Sequence, residues 1–146
     1  MMKLVIEKIK ENYEKKKKKI ISDTIKKYYN IDQHRILYTQ NGKPYIENNK
    51  VYFSISNDNN ILLIAFDINP IGADIQFYRK IPNYLKKFLL MEDFNDIDVI
   101  NEFSKKEAVI KLIDSKLNCI NDIDLTKYKI LSYENEEYVI SIAQYH

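Results

Sequence analysis

The order of the predicted elements indicates an α+β protein: one helix, several strands, a second helical region and a closing hairpin. Residues 5–29 are rich in Lys and Glu and contain neither Gly nor Pro, which favours a helix. The middle of the chain consists of short alternating or apolar runs separated by turn residues, which is typical of strands. Because strands and helices are grouped rather than alternating, the sequence does not predict a parallel-sheet fold.

The predicted strands share a period-two pattern or a short apolar run that ends at turn residues. They are residues 36–39, 51–56, 61–66, 71–77, 128–133 and 138–143, of which the last two form the closing hairpin. The second helical region covers residues 83–114 in two pieces that join near residues 92–96. At 146 residues the chain has room for one domain.

Charge and composition exclude several classes of function. The net charge is only +2, and the lysine run at residues 15–19 is expected to be a solvated helix face, so no nucleic-acid partner is predicted. The longest apolar run, residues 61–66, is too short to span a bilayer. Cys119 is the only cysteine, and the first residues carry charges early. We therefore expect a cytoplasmic protein without membrane contact.

Few residues are present for several common kinds of catalysis. His34 and His146 are the only histidines, so the sequence offers few residues for a serine–histidine relay or a histidine-ligated zinc. Gly42 and Gly72 are the only glycines, which excludes glycine-rich phosphate loops. Chemistry based on carboxylates and a hard metal ion is the main enzymatic option that remains.

Two places depart from their local pattern. On the predicted strand at residues 71–77, Gly72, Asp74 and Gln76 share one face. A glycine beside a carboxylate leaves room for a ligand to approach the backbone, although a half-exposed edge strand would give the same pattern.

The second place is the helix that contains Glu107, which falls on an apolar stripe between Phe103 and Ile100. A carboxylate on such a stripe needs a partner because an unpaired buried charge is costly. Lys111 follows Glu107 at a spacing of i,i+4, so a surface ion pair is the alternative explanation.

Four segments together indicate a family. Residues 42–46 (GKPYI) are similar to a G-K-P-x-L element, and residues 53–58 (FSISND) to F-N-x-S-H-S. Residues 70–76 (PIGADIQ) are similar to a G-x-D-x-E metal strand, and residues 103–111 (FSKKEAVIK) to W-x-x-K-E-A-x-x-K. In this order and spacing they resemble the 4′-phosphopantetheinyl transferases of the type that activates surfactin synthetase.

The resemblance implies two small related lobes, about residues 1–70 and 71–146, with helices packed on antiparallel sheets and coenzyme A bound in the cleft between them. It implies a Mg²⁺ ion held by Asp74, Gln76 and Glu107. Glu107 would also take the proton of the attacking serine, and Lys111 would stabilise charge on the phosphates. The product would be a modified acyl or peptidyl carrier protein, with 3′,5′-ADP released.

The resemblance also implies a coenzyme A site made of Gly42, Lys43, Pro44, Ser56 and Asn57. Asn57 stands where the family has a histidine, and Gln76 where it has a second carboxylate. The part before Gly42 is shorter than usual for this type. A non-catalytic relative that binds coenzyme A or a carrier protein is the alternative.

Overall fold

The α+β class is confirmed by the computed structural model, which describes residues 2–48 and 50–146. The helices are α1 (Tyr13–Tyr29), α2 (Asn83–Phe88) and α3 (Asp96–Ile113), and two 3₁₀ helices follow at Leu117–Asp122 and Leu125–Lys127. The strands are β1 (Lys3–Lys8), β2 (Ile36–Tyr38), β3 (Pro44–Ile46), β4 (Tyr52–Asp58), β5 (Ile61–Asp67), β6 (Gly72–Phe77), β7 (Tyr128–Glu134) and β8 (Tyr138–Tyr145). All strand pairs in these described ranges are antiparallel.

The first layer pair consists of α1 and the sheet β1-β5-β4. The helix buries Ile21 and Ile25 against one face of the sheet, where Phe53 and Phe66 lie with ring centroids 6.0 Å apart. Burial of this apolar area is the main force holding α1 in place, since each such side chain contributes about 1.5–3 kcal/mol.

The second layer pair consists of the sheet β6-β8-β7 and α3. One face of this sheet packs Ile75 and Ile142 against Leu63 of β5. The other face packs Ala143 against α3, where Val109 is fully buried. The layers therefore follow the order helix, sheet, sheet, helix.

The same strand topology occurs twice along the chain. In each case a strand and a helix are followed by two strands of a hairpin, and the last strand lies in the centre of its sheet. The orders β1-β5-β4 and β6-β8-β7 correspond position by position. The small β2–β3 hairpin is inserted into the first unit, and α2 into the second.

Side chains of β4 join the two sheets along their edges. The backbone N–H groups of β6 that point away from β8 would lack partners at this edge. Three side chains of β4, at every second position, accept hydrogen bonds from these groups. They are Ser54 from Ala73 (3.0 Å), Ser56 from Ile75 (3.1 Å) and Asp58 from Phe77 (2.8 Å).

The predicted start of the first helix is wrong. Residues 3–8 form β1, which pairs with β5 along its whole length, and α1 begins only at Tyr13. Leu4, Val5 and Ile6 favour a strand locally, and their pairing covers an edge of β5 that would otherwise be open. Asn12, in the left-handed region at φ 55°, separates the strand from the helix.

α3 is buried on two sides, although only one apolar stripe was predicted. One side packs Val99 and Ile110 with Leu89 and Ile120, and the other packs on the second sheet. Small residues make this possible, since Ala108 and Ser104 are fully buried. Among the described residues, no helix combines the length and apolar character that crossing a membrane requires.

Candidate functional site

A cavity of about 540 Å³ opens where β4, β6 and α3 meet. Its polar end is formed by side chains from three of the four segments that carry the resemblance, and its other end is apolar. The polar side chains from these segments are Ser56, Asn57, Asp74, Gln76, Glu107 and Lys111, and Arg79 and Lys80 add two cationic groups to the lining. Since these residues come from distant parts of the sequence, the fold and not local structure brings them together.

Asp74 is the most buried ionisable group of this cavity, with 2% of its surface exposed. Its Oδ1 accepts hydrogen bonds from Ser56 Oγ and Lys111 Nζ, both at 3.2 Å, and its Oδ2 accepts one from Gln76 Nε2 at 3.0 Å. Burial raises the pKa of Asp74, while the charge of Lys111 and the hydrogen bonds from Gln76 and Lys111 act in the opposite direction. The sequence pattern could also have come from a half-exposed edge strand. β6 does lie at the edge of its sheet, but Gly72 and Asp74 on the face toward the cavity are buried.

Glu107 lies one helical turn before Lys111 and is half buried. Burial raises its pKa first, and the charge of nearby Asp74 raises it further, whereas Lys111 lowers it. Within residues 2–48 and 50–146 the carboxylate of Glu107 makes no hydrogen bond and no ion pair. Lys111 forms its ion pair with Asp74 instead, so the predicted alternative of a surface pair between Glu107 and Lys111 is wrong.

The donor set fits a hard divalent cation that keeps part of its hydration shell. Mg²⁺ is usually bound in proteins by one or two carboxylates, with waters and substrate phosphates completing its octahedron. The charge of Asp74 raises the pKa of Glu107, so a cation near both carboxylates would be favoured, and the side-chain amide of Gln76 donates a hydrogen bond to Asp74. The part of the chain that the structure describes contains no group of three or more acidic, His or Cys residues that would form a complete protein cage.

A second cavity of about 210 Å³ adjoins the first and contains the Gly42–Lys43–Pro44 segment. The two cavities share Ile55 and Lys111 as lining residues. Gly42 adopts φ +88° in the loop between β2 and β3, a conformation that a glycine tolerates best.

The Lys43 ammonium donates to the backbone carbonyl oxygens of Ile71 and Lys111. Burial lowers the pKa of Lys43, and the neighbouring Asp114 partly offsets this. The loop is fixed further by Thr39 Oγ1, which donates to Asp114 Oδ1 at 3.0 Å. Lys43 therefore anchors the loop to the end of α3, and its charge is already solvated by carbonyl groups.

Asn57 lies at the exposed rim of the larger cavity and contacts the first helix. Its Nδ2 donates to the hydroxyl of Tyr13 at 2.8 Å. Lys17 lies over the Tyr13 ring, 5.2 Å from the centroid, and also lines a small cavity that reaches Gly42 and Pro44. Of the lysine run, Lys17 alone is half buried, and the other four are exposed, as expected for a solvated face.

Sequence reasoning missed the apolar half of the larger cavity. Its wall is formed by Ile81, Pro82, Leu85, Leu89, Val99, Ile100 and Phe103. The i,i+4 spacing of Leu85 and Leu89 was an available signal, but it equally fits an ordinary packed helix. Arg79 at the rim was missed as well; it donates to Asp58 at the end of β4 and thereby joins both sides of the opening.

No protein-family model matches the sequence, and a search of the curated proteins finds no match. The resemblance therefore rests on the four short segments and on where the structure puts them. Segments 53–58, 70–76 and 103–111 contribute side chains to the larger cavity, and segment 42–46 lines the smaller one beside it.

Proposed function

We propose that this protein transfers 4′-phosphopantetheine from coenzyme A to a serine of an acyl or peptidyl carrier protein. The observation that supports this most is the buried Asp74 and the half-buried Glu107 beside Lys111, in a cavity of about 540 Å³. Two carboxylates and one lysine form a site for a cation and a phosphate together. A site for a cation alone would not need the lysine.

The reaction requires a nucleophile, a base and stabilisation of phosphate charge. The carrier serine oxygen forms a bond to the β-phosphorus of coenzyme A, the bond from that phosphorus to the bridging oxygen breaks, and 3′,5′-ADP leaves with this oxygen. Bound Mg²⁺ would supply positive charge against the pyrophosphate. Asp74 and Glu107 would hold the ion, with Gln76 contributing its amide oxygen directly or through water.

Glu107 is suited to take the serine proton, directly or through water, because its carboxylate has no protein partner among the described residues and faces the cavity. Lys111 is suited to leave Asp74 and donate to the phosphates, since its ammonium is partly exposed to the cavity. Both residues lie on α3, whose burial on two sides holds them in a fixed relation.

The repeated topology supports the proposal that the chain consists of two related lobes. The lobe boundary near residue 70 falls in the connection between β5 and β6, where the first unit ends and the second begins. The larger cavity is lined from both units, as a donor bound between lobes requires.

The direct test is mass spectrometry of apo carrier proteins incubated with the purified protein, coenzyme A and Mg²⁺. Carriers of the fatty-acid, polyketide and peptide-synthetase types should be tried, and at least one should gain the mass of phosphopantetheine. Asp74→Asn and Glu107→Gln should each reduce the transfer rate by roughly two to three orders of magnitude, the usual effect of removing one preorganised electrostatic contact.

Glu102→Gln is the matched control, because Glu102 lies on α3 but does not line the cavity. It should keep nearly the full rate. Near-full activity of both Asp74→Asn and Glu107→Gln would show that the site is misassigned. Binding of coenzyme A without transfer to any carrier would favour the non-catalytic alternative.

A further inference from the structure

Two buried hydroxyl groups have no hydrogen-bond partner, and both belong to residues around Asp74. Ser104 Oγ and Ser141 Oγ are the unpaired buried side-chain atoms found in the part of the chain that the structure describes. Both residues have 0% of their surface exposed. Since nearly all buried polar groups in native proteins are paired, each exception requires an explanation.

Ser104 approaches Asp74 from α3. Its hydroxyl is close enough to favour the charged form of the carboxylate and so to lower the pKa of Asp74, but it makes no hydrogen bond of regular geometry. Ser104 lies one turn before Glu107 and Ala108 on the side of α3 that faces the interior.

Ser141 approaches Asp74 from the sheet. The two residues are directly opposite each other in the β6–β8 pair, so their side chains project from the same face, with Cβ atoms about 4.5–5.5 Å apart. That face packs on α3, as Ala143 two residues further along β8 shows. Ser141 and Ser104 therefore flank Asp74 from two elements.

Among the described residues, Asp74 accepts hydrogen bonds of regular geometry from Ser56, Lys111 and Gln76. If the proposed function is right, Lys111 must leave Asp74 when it binds the donor phosphates. The cation would then supply the positive charge beside Asp74, but the carboxylate would lose one of the donors that fix its orientation. A serine hydroxyl rotates freely and can turn its O–H toward a new acceptor.

We infer that Ser104 and Ser141 are positioning residues, whose free hydroxyl groups hold the Asp74 carboxylate toward the cation once Lys111 has moved to the phosphates. This inference rests on the proposed function. It explains why two buried hydroxyl groups are kept without partners, at a cost to stability. Groups that orient a ligating carboxylate in this way typically change metal affinity by about 10–100-fold when removed.

The test compares Ser104→Ala and Ser141→Ala with the wild type in two measurements. Thermal unfolding in EDTA should show melting temperatures equal to or a few degrees above that of the wild type, because alanine removes an unpaired buried hydroxyl. Calorimetric titration with Mg²⁺, alone and with coenzyme A, should show an affinity at least about tenfold weaker in each variant.

Ser132→Ala is the matched control, because Ser132 is the exposed neighbour of Ser141 in the β7–β8 pair. It should change neither measurement. A lower melting temperature of both alanine variants in EDTA would mean that the hydroxyl groups are structural, and would overturn the inference. Unchanged Mg²⁺ affinity in both alanine variants would overturn the inference about the two serines but not the proposed function. A wild-type protein that binds no Mg²⁺, with or without coenzyme A, would overturn both.

Discussion

The substitution Gly72→Ala tests how closely β6 and α3 are packed. A Cβ atom at Gly72 would lie 2.0 Å from the Ala108 carbonyl oxygen and 2.5 Å from the Leu112 nitrogen. These two atoms are four residues apart on α3 and therefore partners in the helical hydrogen-bond ladder. The shorter distance falls more than 1 Å below ordinary van der Waals contact, so the backbone of α3 must move.

The expected cost is large for a single methyl group. Overpacking typically costs about 1–3 kcal/mol and sometimes more, and here the obstacle is backbone of a helix that is buried on two sides. We expect Gly72→Ala to lower the free energy of unfolding by at least about 3 kcal/mol, a large part of the roughly 5–15 kcal/mol of an ordinary domain. Urea unfolding followed by circular dichroism measures this quantity.

The other glycine of the chain provides the control. Gly42 has positive φ but open space where its Cβ would lie. Gly42→Ala should therefore lower the free energy of unfolding only by the cost of a left-handed backbone at alanine, about 1 kcal/mol. The two variants separate a contact effect from a backbone effect. An equal loss in both, or a loss below about 1 kcal/mol for Gly72→Ala, would refute the close approach of β6 to α3.

Two further predictions concern backbone strain and charge. Leu90 follows α2 at φ 58°, a conformation that glycine tolerates best, and 72% of its surface is exposed. Leu90→Gly should therefore raise the free energy of unfolding, measured in urea, by about 1 kcal/mol. A lower free energy of unfolding would contradict the strained conformation. The raised pKa of Glu107 means that the metal-free native state binds its proton more tightly than the unfolded chain, whose ordinary value is 4.5. The stabilising contribution is therefore complete below pH 4.5 and is lost as the pH rises through the native pKa. Urea unfolding in EDTA should show that Glu107→Gln is more stable than the wild type at pH 7.5 and that this advantage disappears below pH 4.5, whereas a constant difference would contradict the raised pKa.

The central strands were predictable because each carries its own pattern. Residues 51–56 and 61–66 lie within or next to β4 and β5, and the asparagine-rich turn between them adopts positive φ at Asn59 and Asn60, as a tight hairpin requires. The faces of β6 also follow from simple alternation, with Asp74 on one side and Ala73 on the other.

Other features depend on contacts that no local pattern contains. β1 was missed because its flanking lysines and glutamate favour a helix equally well, and only the open edge of β5 decides between the two. No local pattern indicated the repeated topology, because the two units share strand order and not residues; only the family resemblance implied two related lobes. Ser104 and Ser141 look like ordinary small residues in sequence, and their unpaired hydroxyl groups exist only because two elements bury them beside Asp74.

The surroundings of Lys43 indicate how a nucleotide donor would be oriented between the two cavities. The C-terminal end of a helix carries partial negative charge, which disfavours an anion and favours a cation. The smaller cavity lies at this end of α3 and is lined by Asp114, and the Lys43 ammonium there already donates to the carbonyl oxygens of Ile71 and Lys111. Phosphates are therefore better placed in the larger cavity with Lys111, where a cation between Asp74 and Glu107 would attract them. If the proposed function is right, the uncharged base belongs beside Gly42 and Pro44. The pyrophosphate then crosses near Ile55 and Lys111, the two residues that the cavities share.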